Sequence, residues 1–381
     1  MRTTHICPSY KPAYIYGGPI MSVSKLCEAL SKAGCCTEML TTTANGKTAL
    51  TVPTHAPVHL DGVLVYYFKC VSNAPTHFSP ALLWHLIFKK DIKLLHLHSW
   101  WNSVVVLACI LAKVKKIPVL LSPRGMLTPY TLKNKNRVFK SIIHQLVGDE
   151  LLKYCHVHAS TEKEKQDMLS FIKPKSITVI PNLIRLPEIH QSSFSNSNLN
   201  PVINLIFLSR LEEKKGLGIL FRALSKVNFK WQLTIAGTGE IKYIKRLKSL
   251  ALHLGITSSL KWLGHVHDEE KFNILAKHDL MVLPSHNESF ANVVIESLLV
   301  GTAVVISDQV GLAEYVNCKN MGWVSKLTVN DFNYAITDAR TNQQQRQRIR
   351  QQAPNIIKED FSDQSLITQY LRLYKSIRRN G

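Results

Sequence analysis

Short runs of aliphatic and β-branched residues alternate along the chain with stretches whose apolar positions recur every three to four residues. Residues 63–68 (VLVYYF), 94–98 (LLHLH) and 118–122 (PVLLS) are runs of the first kind. The rhythm restarts at residues 203–209, 231–236, 280–284 and 303–307. Continuous apolar runs bounded by turn residues and separated by helical periodicity predict parallel strands buried on both faces by helices. The restart predicts two α/β units of this kind. Between them, after Ile180-Pro181-Asn182, residues 191–201 (QSSFSNSNLNP) are rich in Ser and Asn, nearly free of apolar residues and closed by Pro, and read as a linker. From about Asp363 to Arg379, Leu366, Ile367, Tyr370, Leu371 and Tyr374 share one helical face, and the stretch ends in Lys375, Arg378 and Arg379. The Gln/Arg-rich residues 343–352 read as an exposed helix. The predicted organisation is a first unit over 1–182, a linker over 183–201, a second unit over 202–362 and a terminal helix over 363–381.

At 381 residues the chain exceeds one ordinary core and suits two. With 45% hydrophobic and 19% charged residues and a mean hydropathy of -0.01, a largely disordered chain is excluded. The longest uncharged apolar stretch, about residues 100–112, is shorter than the ~18 to 20 residues that cross a bilayer, and the first residues lead into no signal-like apolar core. The expectation is a cytoplasmic protein, neither secreted nor membrane-spanning. Eight cysteines show no C-x-x-C spacing and mostly lie in apolar runs, which fits a reducing compartment. Cys35 and Cys36 read as buried filler, and the clustered ligands that a zinc or disulfide reading needs are not seen.

Charge changes the picture. Forty-seven basic against twenty-six acidic residues give +21 and a pI near 9.6, which calls for an anionic partner: nucleic acid, anionic lipid or a phosphorylated small molecule. Residues 1–180 carry a net +13 (22 basic, 9 acidic) and residues 181–381 a net +8 (25 basic, 17 acidic). No acid lies between Asp91 and Asp149, while Lys93, Lys113, Lys115, Lys116, Arg124, Lys133, Lys135, Arg137 and Lys140 fall there among Trp100, Trp101, Tyr130 and Phe139. An anionic membrane surface and a merely solvated face are the two readings of this segment. Nucleic acid is not expected, because no zinc finger, RNP-like strand or other module accompanies the charge.

Ligands of open α/β sheets bind beyond the carboxyl ends of strands, so five strand ends hold the candidate chemistry. Gly17-Gly18 precede a helical pattern, where two glycines let a bulky anion approach helix N–H groups; a plain turn is the alternative. In Ser209-Arg210-Leu211-Glu212-Glu213-Lys214-Lys215-Gly216 a guanidinium and an ammonium can converge on one diphosphate, or form a solvated basic turn neutralised by the glutamates. Residues 283–301 place Glu288 in the loop after a buried strand and Glu296 in the opening turns of a helix starting near Ala291 to Asn292. Carboxylates there suit sugar or ribose hydroxyls, while helix-start N–H groups suit phosphate; offsetting the helix dipole is the plain alternative. The other two places are His96 to Asn102, with His98 as an acceptor-side or sugar contact or a structural strand-end histidine, and Ser122 to Leu127 around Arg124.

Taken together, Glu288-x7-Glu296, Arg210-x4-Lys215-Gly216, the glycine pair and Ile180-Pro181-Asn182 resemble the retaining glycosyltransferases of family 4 over nearly the whole chain. The resemblance implies the GT-B fold, with two Rossmann-like doubly wound domains facing across a cleft and a last helix crossing back to the N-terminal domain. It implies a nucleotide-diphosphate sugar as donor and no metal or other cofactor; the sequence accordingly has no Asp-x-Asp. By the same resemblance Arg210 and Lys215 hold the leaving diphosphate, Glu288 the sugar hydroxyls and Glu296 the ribose. Backbone at Phe290, Ala291, Asn292 and Val293 meets phosphate and sugar, and backbone near Val266 faces the nucleobase. Many family members carry a histidine where this chain has Arg124, so a catalytic histidine is not expected there, and Arg124 can hold a phosphate instead. The Pro123-Arg124-Gly125-Met126-Leu127 wording resembles members that build bacterial surface polysaccharides. This implies a glycan or lipid-linked glycan acceptor and a peripheral position on the inner face of the cytoplasmic membrane. The rival readings are a nucleotide-sugar epimerase of the same fold and a non-catalytic protein binding membranes or nucleic acid. Glu162 and Glu164 read as helix-start acids and Gly237-Thr238-Gly239 as a structural turn.

Overall fold

The computed structural model describes residues 1–71, 77–133, 148–187 and 202–380. The linker read at 191–201 and the basic positions Lys135, Arg137 and Lys140 lie outside them. The chain divides into two compact units, one of Met1–Arg185 with Phe361–Gly381, the other of Leu186–Asp360.

In the first unit the strands are β1 (Arg2–Cys7), β2 (Cys36–Thr42), the small hairpin β3 (Ala44–Asn45) and β4 (Thr48–Ala49), then β5 (Val58–Leu60), β6 (Val63–Phe68), β7 (Leu95–His98), β8 (Val119–Ser122), β9 (His156–Ala159) and β10 (Ser176–Val179). Apart from the hairpin they form one sheet, ordered β10-β9-β8-β7-β1-β2-β6-β5. Its neighbours are parallel except β5 with β6. Every residue of β7, β8 and β9 is buried, because helices cover both faces there. In β6, toward the sheet edge, Val63, Val65 and Tyr67 are buried and their neighbours only partly so. Helices α1 (Gly18–Lys32), α2 (Pro80–Phe88) and α3 (Ser103–Val114) follow β1, β6 and β7. The connection leaving β1 goes to one side of the sheet and β7 lies on the other, so the topological switch point sits between these two strands.

The terminal helix Asp363–Asn380 belongs to this unit. Leu366, Ile367, Tyr370, Leu373, Tyr374 and Ile377 form one cluster with Leu26 and Leu30 of α1, Leu94, Leu120 and Ile180. Lys25 pairs with Asp363 at 2.5 Å. Full burial of such side chains stabilises by roughly 1.5–3 kcal/mol each, so the helix is an integral wall of the unit.

The second unit holds β11 (Ile203–Leu208), β12 (Trp231–Ala236), β13 (Leu260–Gly264), β14 (Leu280–Leu283), β15 (Ala303–Ser307) and β16 (Gly322–Ser325). All are parallel, in the order β13-β12-β11-β14-β15-β16, with the switch point between β11 and β14. Two doubly wound α/β units follow, the fold class read from the alternation.

Two expectations need correction. The helix over residues 343–352, which runs on as Gln343–Asp360, is not wholly exposed: Ile349, Ala353 and Ile357 are buried at four-residue intervals, and Arg350 Nη2 donates to the His278 carbonyl at 3.0 Å. So few apolar positions in a Gln/Arg background leave a weak period. Cys35 is buried but Cys36, at the start of β2, is exposed. The structure also brings together two cysteines that sequence spacing cannot pair, Cys109 and Cys155, with sulfurs 3.5 Å apart.

Candidate functional site

In the second unit the loops after β11 and β14 carry the densest charge. The two loops are in backbone contact: a side chain at Gly216, whose φ is +72°, would place its Cβ 1.8 Å from the Pro284 carbonyl oxygen, and the His286 N–H donates to the Lys214 carbonyl at 2.7 Å. Only glycine fits at 216, for both conformation and space. Lys215, its side chain 9% exposed, forms an ion pair with Glu288, whose side chain is 14% exposed. The Glu288 backbone is itself pinned, its N–H to the Gln309 carbonyl at 3.2 Å and its carbonyl to the Gly311 N–H at 2.7 Å. Burial alone would raise the Glu288 carboxyl; the ammonium groups of Lys215 and Lys214 and the Arg210 guanidinium outweigh it and hold the group below its ordinary value. Burial pushes the Lys214 ammonium down. Arg210 reaches toward solvent, half exposed, with Nη1 2.8 Å from Glu212 Oε1.

Gly237 and Gly239, set aside as a structural turn, seat this arginine. A Cβ on either would lie 1.9 Å from the Ser209 carbonyl oxygen or 2.0 Å from that of Leu211, so the β12 turn lies flat against the residues flanking Arg210. The next loop joins in, the Gly237 N–H donating to the Gly264 carbonyl at 2.6 Å; Val266, partly exposed, follows it.

The helix Asn292–Leu299 starts from Ala291 at φ +71°, a left-handed conformation uncommon for alanine, and no side chain caps it. Phe290 is buried beneath, while Ala291, Asn292 and Val293 are partly exposed. Glu296 lies 8% exposed in the second turn. Lys271 Nζ reaches its Oε1 at 2.8 Å. Sequence reasoning missed Lys271, which stands 25 residues earlier in an ordinary amphipathic pattern. Each glutamate thus holds a lysine, and the strand end gathers Arg210, Lys214 and Lys215 around the single buried carboxylate of Glu288. Glu212 and Glu213 balance the charge from the exposed side, and the three cations converging at one strand end still suit a polyanion such as a diphosphate.

In the first unit Gly17, at φ +67°, ends a short turn and Gly18 begins α1. A Cβ on either would meet nothing within 4 Å, so the pair leaves open space at the helix start. Arg124, at φ +52° after β8, donates through Nη1 to Ser22 Oγ in α1 at 3.0 Å and to Asn182 Oδ1 at 2.7 Å. Its Nε is buried without a partner among the described residues. Glu164 is no simple helix-start acid. Only 2% exposed, it accepts from the Gly125 N–H at 2.6 Å and from Ser160 N–H and Oγ at 2.7 and 2.6 Å, fixing the turn that presents Arg124.

Of the two readings of His98, the structural strand-end histidine fits: it closes β7 and, at 1% exposed, lies inside the unit. Its Nε2 faces His5 Nδ1 at 3.0 Å, and its ring lies 4.1 Å from that of His96. His96 is held by Tyr374 Oη and Ser122 Oγ, both at 2.8 Å, and Ser122 continues to His158 Nδ1 at 2.8 Å. Contrary to the reading that metal ligands are not clustered, His5, His96 and His98 could hold a metal ion, each offering a ring nitrogen within 4.8 Å of the others. Four of the six ring nitrogens are engaged with one another or with hydroxyls, whereas His5 Nε2 and His98 Nδ1 are buried without a hydrogen-bond partner among the described residues. Trp100 is fully buried, and Trp101 donates through Nε1 to the Met126 carbonyl at 2.7 Å, so these two serve the core and the Arg124 loop and do not form a surface.

Two family models match the chain nearly end to end. "Glycosyltransferase Family 4" matches residues 16–186 and "Glycosyl transferases group 1" matches residues 189–356. An uncharacterized glycosyltransferase of Methanocaldococcus jannaschii is 27% identical over 174 residues, 45% of this chain and 44% of that protein. N-acetylgalactosamine-N,N'-diacetylbacillosaminyl-diphospho-undecaprenol 4-alpha-N-acetylgalactosaminyltransferase of Campylobacter jejuni is 30% identical over 137 residues, 36% of each chain. The matched region therefore spans less than half the length of these curated relatives. Among solved structures, Anabaena HepE in complex with UDP and glucose superposes with a TM-score of 0.74 at 18% identity, covering 99% of this chain and 100% of that one.

Proposed function

Because this chain belongs to glycosyltransferase family 4 and has the GT-B fold, we propose that it moves a sugar from a nucleotide-diphosphate sugar to an acceptor hydroxyl, with retention at the anomeric carbon. The observation that carries the reading is the cationic strand end of the second unit: Arg210, Lys214 and Lys215 beside an uncapped, partly exposed helix start at Ala291. In this reading a donor diphosphate takes over the ammonium of Lys215 from Glu288, and the freed carboxylate accepts from the sugar hydroxyls. Glu296, steadied by Lys271, accepts from the ribose, while backbone near Val266 faces the base. As the bond from the anomeric carbon to the diphosphate breaks, negative charge grows on the leaving oxygen, and in this reading Arg210, Lys215 and the helix-start N–H groups stabilise it. No side chain at the strand end is an evident nucleophile, so the acceptor oxygen attacks from the face the diphosphate leaves, and its proton passes to the leaving phosphate. Cationic side chains supply the charge stabilisation, and no metal ion is needed.

The acceptor belongs to the first unit, at Gly17, Gly18 and Arg124. Its proposed class is a lipid-linked glycan of bacterial surface polysaccharide synthesis, at the inner face of the cytoplasmic membrane. The Campylobacter relative, whose name specifies a diphospho-undecaprenol acceptor, supports this class.

Screening nucleotide sugars for thermal stabilisation tests the donor half: a cognate donor at ~100 Kd adds about 2.7 kcal/mol. A flat response to every nucleotide sugar would sink the proposal. The glutamates give a finer test. Glu288→Gln is expected to cripple transfer while free nucleotide diphosphate still binds nearly normally, because Lys215 remains. Glu296→Gln is expected to weaken free nucleotide as well. Calorimetry with the nucleotide diphosphate separates them, and equal losses in both variants contradict the assignment.

A further inference from the structure

We propose that helix α2 of the first unit is a membrane-docking face that seats its aromatic ridge in the headgroup region of an anionic bilayer. The inference deepens the proposed position at the inner face of the membrane and rests on that reading for its partner, while its test is independent of donor binding. Pro80–Phe88 reads PALLWHLIF, without one charged side chain. The helix is well formed: Ser79 Oγ accepts from the Leu82 N–H, Pro80 opens the first turn, and Lys115 Nζ donates to the carbonyls of Leu86, Ile87 and Lys89 at the far end. A helix apolar all round is ordinarily buried all round. Here Leu82 and Leu86 enter the core, but Trp84, Ile87 and Phe88 remain 65%, 43% and 60% exposed. The Trp84 and Phe88 rings, one turn apart, pack on each other with centroids 4.6 Å apart, forming a ridge. Leaving these three in water is unfavourable, and such patches mark an interaction surface.

Charge identifies the partner. Residues 78–93 and 113–116 hold six lysines and one acid, Asp91. Lys90, Lys93, Lys115 and Lys116 are exposed, whereas Lys89 is tied to buried Glu38 at 3.2 Å and Lys113 lies 3.9 Å from Glu150. An aromatic and aliphatic ridge rimmed by lysines matches the bilayer interface, where rings settle at headgroup depth and ammonium groups meet anionic lipid. A second copy of this chain would bring the same lysines and few acids to the rim, whereas an anionic bilayer supplies the matching charge. The expected basic segment thus contributes through Lys93 and Lys116, with Lys115 engaged at the end of the helix, and the apolar contact lies on α2 and not on Trp100 or Trp101.

The test is sedimentation of the full chain with vesicles of phosphatidylcholine alone and with about one third phosphatidylglycerol. Wild type is expected to pellet with the anionic vesicles at low salt and to be released as salt rises. Trp84→Ala with Phe88→Ala should lower partitioning by about tenfold or more, and Lys90→Gln, Lys93→Gln and Lys116→Gln by about fivefold per lysine with a weaker salt dependence. A blue shift of tryptophan emission on adding vesicles should vanish in Trp84→Phe. All these positions are solvent-exposed, so the variants should keep wild-type melting and nucleotide-diphosphate binding. Failure of donor binding would therefore leave the docking result intact, and the reverse. No pelleting of wild type at low salt, or equal pelleting of the aromatic double variant, would overturn the proposal. So would a wild-type dimer in light scattering that the double variant dissociates, since the ridge would then cover a second copy.

Discussion

Arg210→Ala and Lys215→Ala are each expected to lower kcat by about 10²–10³-fold with the fold retained. The two cations differ in setting, which makes the pair informative. Arg210 is half exposed and, among the described residues, paired only with Glu212, so its loss should leave stability almost unchanged and act on the rate alone. Lys215 is nearly buried against Glu288, and removing one partner of a buried pair typically costs about 3–5 kcal/mol. Part of that loss should be relieved when Glu288 takes up a proton, because the ammonium that held its carboxyl down is gone. Steady-state rates with the cognate donor, read beside melting temperatures, check both. Rates within a factor of a few of wild type for either variant would remove the leaving-group role. A large rate loss matched by global unfolding in Lys215→Ala, with Arg210→Ala at full rate, would show a structural ion pair.

The strands were legible because their signal is local. Runs such as 280–284 and 303–307 are apolar at consecutive positions, and that is the mark of a strand covered on both sides. The placement of the candidate loops was legible for a related reason: Arg210, Lys215 and Glu288 follow the ends of β11 and β14, and Glu296 lies in the helix after them, the region where an open sheet offers a ligand site. What stayed hidden depends on partners distant in sequence. Nothing near Glu296 announces Lys271, and nothing near Gly125 announces Glu164. His98 read as a candidate contact because a polar residue ends an apolar strand, but β1 supplies its partner His5 from 93 residues away, and the adjacent His96 is held by Tyr374 of the terminal helix. The α2 ridge escaped for the opposite reason. An apolar helix reads as core, and only the packed structure shows that one of its sides has nothing over it among the described residues.

The buried imidazoles lead to the second large effect, a collapse of the first unit in mild acid. His5, His96, His98 and His158 lie inside it around Ser122, with Tyr370 and Tyr374 of the terminal helix above them and the Arg124 guanidinium as the facing charge. Burial, reinforced by Arg124, lowers His5 and His158 to about 3. Burial, with Arg124 and the neighbouring imidazoles, holds His96 and His98 well below the ordinary range. These folded values lie below the unfolded value of about 6.5, so in acid the unfolded chain binds protons that the folded unit refuses. Stability is therefore full above about pH 6.5 and falls as pH drops below it, by about 1.4 kcal/mol per pH unit for each histidine. Four together approach ~5 kcal/mol per unit, against a domain stability of about 5–15 kcal/mol, so the first unit should unfold near pH 5. Among the described residues of the second unit, the histidine with a lowered value is His278, partly buried and hydrogen-bonded to the Ile274 carbonyl and Thr234, so that unit should persist to lower pH. Calorimetry at pH 7.5, 6.0 and 5.0 should show one transition falling steeply while another lags. His158→Gln, which keeps hydrogen-bonding capacity without a titrating ring, should flatten the steep limb by about 1.4 kcal/mol per pH unit. A first transition whose midpoint is unchanged between pH 7.5 and 5.0 would mean that the cluster is charged, or hydrated, in the folded protein.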